Sequence, residues 1–153
     1  SLISACLEIG GVCAGAKEKE IKILRSSGRN IGAAFQIQDD ILEIFGEEKK
    51  FGKKIGKDIM ERKLGNIVIL LAADEVNSKD KSKFIKILRK KRIEGGDLKE
   101  AIKLINKTNA QKRAKKLEMN YINKAKKHLA LLPQNQWNKI LNELVDFLAA
   151  RKV

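Results

Sequence analysis

Asp39, Asp40 and Glu43 fall within five residues of one another in the stretch FQIQDDILEIFG. Gly52-Lys53-Lys54-Ile55-Gly56-Lys57-Asp58 follows, and Lys63 comes five residues after Asp58. Carboxylates so closely spaced repel one another unless a cation sits among them. Mg²⁺, which binds through one or two carboxylates plus phosphate oxygens, is such a cation. Glycines let backbone approach a ligand closely, and lysines act as point charges for phosphate. Acids for a metal followed by cations for an anion read as one half of a magnesium–diphosphate clamp. A solvated acidic face explains Asp-Asp-x-x-Glu taken alone, and a basic loop explains the lysines taken alone. The order of the two parts favours the clamp.

A long helix must carry the acids. Ile21, Leu24, Gly28, Ile31, Phe35, Leu42 and Phe45 recur at the three- and four-residue spacing of one helical face. Gln36, Asp39, Asp40 and Glu43 share a second face. A helix from about residue 17 to residue 45 is roughly 40 Å long, and Gly46 is its natural stop. Acids at a helix C-terminus oppose the helix dipole, and Asp is a poor helix former. Their placement therefore calls for a compensating positive charge.

The other elements are also read as helices. They are expected over Ser1–Ala14, Leu64–Asn77, Ser82–Arg92 (beginning at Ser78 or Lys79), Leu98–Ile105, from Thr108 or Asn109 to about Leu131, and Gln136–Ala150. Asp97, with Glu100 three residues on, reads as an N-cap for Leu98–Ile105. Glu47–Lys63 is expected as a charged loop. Trp137, Ile140, Leu141, Leu144, Phe147 and Leu148 form the apolar face of the last helix, and Trp137 and Tyr121 read as packing residues. The fold class is all-α. At 153 residues, 43% of them hydrophobic, the chain is long enough for one domain with a sizeable core.

Composition excludes several functions. No apolar run reaches membrane-spanning length, and no leader peptide is legible. Cys6 and Cys13 lie seven apart with no metal-ligand spacing, so they are expected as buried free thiols. Nothing about them points to an oxidising compartment, which places the protein in the cytoplasm. His128 is the only histidine and has no ligand companion. The net charge is +14. Residues 79–128 hold eighteen Lys/Arg against five Asp/Glu, with only Phe84 and Tyr121 as aromatic stacking candidates. That is a lysine-rich solvated surface, and no nucleic-acid partner is expected.

GAAFQIQDDILEIFG…FGKKIGKDIMERKLG closely resembles the second aspartate-rich region of trans-type polyprenyl diphosphate synthases. The combined pattern FQxxDDxx(D/E)…GKxxGxD…K is far more specific than any of its parts. The resemblance extends to SLISACLEIGGVCAGA and to HLALLPQNQWNKILNELVDFLAAR, which is similar to that family's last two helices. It implies the C-terminal part of the isoprenoid synthase helical bundle. It also implies a Mg²⁺-dependent prenyltransferase that joins an allylic diphosphate to isopentenyl diphosphate. Carried over by position, Asp39 and Asp40 are Mg²⁺-facing carboxylates, with Asp39 the direct ligand. Glu43 stands for the usual third Asp, and Asp58 is an outer partner of the metal or lysine network. Phe35 and Gln36 match the substrate-side pair, and Lys53 and Lys63 the catalytic, diphosphate-binding lysines.

One departure is large. Asp39-Asp40 is the only Asp-Asp pair, so the first aspartate-rich motif is absent. Residues 1–153 are therefore expected as a single domain forming the C-terminal half of a synthase, inactive alone. The resemblance implies a homodimer at full length, or a partner chain that supplies the first motif. A non-catalytic or complementary subunit of a heteromeric synthase is the alternative.

Overall fold

The computed structural model of the chain describes residues 1–46 and 55–150, with side chains through residue 148. Among the described residues every regular element is a helix, as the patterning predicts. The helices are α1 (Leu2–Cys13), α2 (Glu18–Phe45), α3 (Lys57–Met60), α4 (Ile67–Glu75), α5 (Ser78–Leu88), α6 (Gly95–Asn106), α7 (Ala110–Leu129) and α8 (Gln136–Ala150). The chain divides into two compact units. One comprises Ser1–Gln38 and the chain from Leu117 onward; the other is Asp39–Lys116.

In the first unit, Ile31 and Ala34 of α2 form a core with Ile122, Ala125 and Leu129 of α7 and Val145 of α8. Small residues bring these helices close. Ser27 is fully buried and its hydroxyl donates to the Ala125 carbonyl at 3.2 Å. Gly28 faces the backbone of α1, where an added Cβ would stand 2.5 Å from Ser4 Cα. The Ser4 hydroxyl donates to the Arg25 carbonyl at 3.0 Å. Arg25 is in turn ion-paired with Glu8, which holds the Glu8 carboxyl below its ordinary value. The buried amide of Asn138 donates to the Leu129 carbonyl at 2.8 Å and fixes the α7–α8 turn.

Two expectations about this unit fail. Cys6 and Cys13 are exposed rather than buried. On α8 the packed face is Leu141, Val145 and Leu148, whereas Trp137, Ile140, Leu144 and Phe147 are exposed, Trp137 to 65%. Both α1 and α8 are apolar on more than one side, and sequence periodicity alone does not say which side is covered. An open cavity of about 590 Å³ is lined by residues of both, including Leu7, Gly10, Trp137 and Leu141.

The second unit packs α4, α5 and α6 around Phe84, Ile69, Leu104 and Ile105, all essentially without exposure. Some helix boundaries differ from expectation. Asn77 caps α5 by accepting from Asp80 N–H at 2.9 Å, so α5 begins at Ser78 as expected, but it ends at Leu88 and not at Arg92. Helix α6 begins at Gly95, after Glu94 and not Asp97. Asp97 instead binds Lys90 at 2.7 Å and Glu100 binds Lys83 at 2.7 Å, so both acids serve ion pairs with α5 and its end rather than a capping box.

Candidate functional site

The acidic end of α2 shows how its face is divided. The buried line of the helix passes through Ile31, Ala34, Ile37, Ile41 and Ile44, about one residue round from the expected stripe. Phe35 is therefore only half-buried. Asp40 falls on the buried line, 6% exposed. Asp39 and Glu43 are half-buried and Gln36 is exposed, so these three share the outward side. Phe35 and Gln36 fall on the part of α2 that belongs to the first unit; the acids open the second.

Helix α2 stops where expected. Gly46 N–H donates back to the Leu42 carbonyl at 2.8 Å. A Cβ on Gly46 would lie 2.4 Å from that same oxygen, so a side chain is incompatible with the turn. The chain then returns to the acids. Gly56 N–H donates to the Glu43 carbonyl at 2.8 Å. Gly56 has φ +76° and its α-carbon faces Leu98, whose Cδ1 would be 2.8 Å from a Cβ. Glycine meets both demands.

The stretch expected as loop contains the helical turn α3, which carries Asp58. From there the polar groups connect. Lys63 Nζ lies 3.4 Å from Asp58 and 2.8 Å from Glu61. The Lys63 ammonium is held above its ordinary pKa, first by Glu61 and then by Asp58, and the Glu61 carboxyl is held below its own chiefly by Lys63. The Lys63–Glu61 pair is exposed on both sides, and such pairs are weak, whereas the Asp58 carboxylate is mostly buried. An incoming anion can therefore take Lys63 from Glu61 at small cost.

Asn66 joins the pieces. Its side-chain amide donates to the Asp40 carbonyl at 3.2 Å and to Asp58 Oδ2 at 3.1 Å. Its Oδ1 accepts from Val68 N–H at 2.9 Å and caps α4. Asp40 Oδ2 accepts from Ile67 N–H at 2.7 Å, where a carboxylate is favoured by the helix dipole. Asp40, Asp58 and Lys63 are thus brought into one connected set. Lys53 lies outside the described residues. Asn66 and Glu61 were missed from sequence. The signal for Asn66 was present: an N-cap residue immediately before the apolar run Ile67-Val68-Ile69.

Among the described residues no three His, Cys, Asp or Glu side chains converge to hold a metal ion. The donor set fits a hard cation that keeps water and phosphate oxygens for most of its shell and takes one or two protein carboxylates. It does not fit an all-protein cage. No helix among the described residues is long and apolar enough to cross a membrane.

Residues 1–105 match the polyprenyl synthetase family. The short chain isoprenyl diphosphate synthase of Methanothermobacter thermautotrophicus is 32% identical over 155 residues, covering 99% of this chain and 46% of that protein. The heptaprenyl diphosphate synthase component 2 of Geobacillus stearothermophilus is 30% identical over 150 residues, covering 98% and 45%. A crystal structure of polyprenyl synthase from Caulobacter crescentus, complexed with calcium and isoprenyl diphosphate, superposes with a TM-score of 0.88 at 33% identity, covering 99% of this chain and 46% of that one. The chain spans about half the length of the curated relatives it matches.

Proposed function

The chain belongs to the polyprenyl synthetase family, and on that premise we propose that it is one portion of a prenyltransferase that condenses an allylic diphosphate with isopentenyl diphosphate. The observation that carries this reading is the linkage of the acidic end of α2 to Lys63 through Asp58 and Asn66. It pairs acids suited to a divalent cation with a lysine suited to a diphosphate. The Caulobacter relative, which holds calcium and isoprenyl diphosphate, supports that ligand class.

In this reading Asp39 would be the direct ligand of Mg²⁺, and Asp40, Glu43 and Asp58 would add negative charge in the same region without forming a cage. The metal, when bound, neutralises the charge that develops on the departing diphosphate. Lys63 would supply a fixed positive charge to the diphosphate, strongest where water is excluded, and Lys53 is assigned the same role by the family pattern alone. Asp40 keeps the end of α2 in register with α4 through Ile67 N–H, and Gln36 and Phe35 face the substrate one helical turn before the acids. The first aspartate-rich motif and the isopentenyl diphosphate site come from residues other than these 153. At full length the protein is a homodimer that works in the cytoplasm.

The test is calorimetric titration of the 153-residue chain with farnesyl diphosphate, in Mg²⁺ and in EDTA. Metal-dependent binding that Asp39→Ala weakens by tenfold or more supports the reading. Absent or metal-independent binding overturns it. Turnover of both diphosphates by these residues alone, at a rate near that of an intact synthase, would overturn the claim that they are a portion. Similarity to a protein called component 2 supports a second reading, a complementary subunit of a heteromeric synthase. Co-purification from the source of a separate chain carrying an Asp-rich motif distinguishes the two.

A further inference from the structure

Asn66 is 4% exposed, and its amide uses all of its hydrogen-bonding capacity. The two protons of Nδ2 go to the Asp40 carbonyl at 3.2 Å and to Asp58 Oδ2 at 3.1 Å. Oδ1 accepts from Val68 N–H at 2.9 Å and from Ile69 N–H at 3.4 Å. The orientation of the amide is fixed by its partners: reversed, it would set an oxygen against two acceptors and an NH₂ against two donors. One side chain therefore touches three elements that meet at the acids: the last turns of α2, the turn α3 and the start of α4. Its own N–H donates to the Lys63 carbonyl at 3.1 Å, so the backbone that carries Lys63 is held as well.

Capping α4 needs only the oxygen, which serine also supplies. The Nδ2 group adds nothing to the cap. It spans from α2 to Asp58, and Asp58 in turn contacts Lys63 at 3.4 Å. Asn66 thus joins Asp58 Oδ2 to α2, whereas the Asp40 carboxylate reaches α4 by a separate route, Ile67 N–H at 2.7 Å. The two routes cross at Asn66 and Ile67, neighbours in the chain.

We propose that Asn66 is a positioning residue whose side-chain amide fixes the Asp58–Lys63 pair relative to the acidic end of α2, and so sets the affinity of this site for a metal-complexed diphosphate. The proposal rests on reading these residues as a diphosphate site. Misplacing charged groups by about 1 Å is enough to cost a preorganised site much of its effect, and removing the bridge frees Asp58 to follow Lys63 into solvent.

The experiment uses the full 153-residue chain, inorganic pyrophosphate with Mg²⁺, and two variants. Asn66→Ser keeps a capping oxygen and loses the bridging NH₂; Asn66→Ala loses both. Calorimetry gives the pyrophosphate affinity, thermal melts give the folding, and ¹³C NMR of the Asp58 carboxylate reports its surroundings. Asn66→Ser is expected to melt within a few degrees of the parent, to bind pyrophosphate about tenfold more weakly and to show a displaced Asp58 resonance. Asn66→Ala is expected to show the same binding loss with a larger fall in melting temperature. Unaltered pyrophosphate affinity in a folded Asn66→Ser chain overturns the proposal. If the parent itself binds no pyrophosphate, the diphosphate reading fails; the Asp58 resonance then decides the bridge alone, and an unshifted signal in Asn66→Ser overturns it.

Discussion

Around Asp39–Lys116 the surface helices are joined by ion pairs. Lys83 meets Glu100, Lys90 meets Asp97, Lys107 meets Asp80, and Arg113 meets Asp74 and Glu75. Large apolar residues there are buried or partly buried, apart from Leu64 and Leu70 among the described residues. In the unit formed by the two ends of the chain, the outward sides of α1 and α8 carry Leu2, Ile9, Val12, Trp137, Ile140, Leu144 and Phe147, all exposed. Large apolar side chains left exposed in this number on two helices point to a surface that another covers. One unit has a closed core with a polar exterior. The other has a core of its own and a second apolar layer beyond it, which supports reading the chain as a portion of a larger assembly.

That contrast can be broken by substitution. Phe84→Ala empties the closed core and is expected to cost about 3–5 kcal/mol, seen in urea unfolding; a loss below about 1 kcal/mol would mean that the core is not closed. Gly28→Val drives a side chain into the Ser4 backbone and is expected to cost about 1–3 kcal/mol, with hydrogen exchange accelerated in α1 and unchanged in α4 to α6. Phe147→Ser alters a side chain that is 66% exposed. It is expected to change stability by no more than about 0.5 kcal/mol, and a loss above about 1.5 kcal/mol would show that this face is already covered in solution.

The smallest effect is electrostatic. The Glu75 carboxyl is held below its ordinary 4.5 by the Asn109 backbone N–H first, then by the Asn109 amide and Arg113. A carboxyl depressed in the folded state adds stability that is complete above its ordinary pKa and is lost as pH falls through the folded one. The second unit should therefore weaken on acidification below about pH 4.5, and Glu75→Gln should flatten that acid limb. An unchanged limb in the variant would remove Glu75 from the account.

Helix type was legible in every long element, because three- and four-residue spacing survives there, but not in the single turn α3, which was expected as loop. The depth of each helical face was less so. The burial of α2 runs one residue away from the predicted stripe because Ser27 and Ala34, small side chains, are the ones buried against neighbouring helices. Cys6, Cys13 and Trp137 were expected inside, because an apolar helix with two candidate faces does not announce which one is covered. At the site, the acids and Lys63 were legible by type and spacing. Asn66 carried an N-cap signal, but its bridge was not legible, because Asp40 and Asp58 lie 26 and 8 residues from it in the chain. Asp97 and Glu100 matched a capping pattern, but lysines at positions 83 and 90 offered stronger, charged partners.

The discontinuity of the first unit also bears on the order of events as the chain is made. Its buried Ser27–Ala125 hydrogen bond joins residues 98 positions apart, and Val145 completes the same core. The second unit is one unbroken segment, so its contacts can form while the end of the chain is still being synthesised. The part of the first unit's core that α7 and α8 supply can form only once those helices emerge. Pulse-labelled exchange during refolding should find amides of α4, α5 and α6 protected before those of α1. The reverse order would show that the ends meet first.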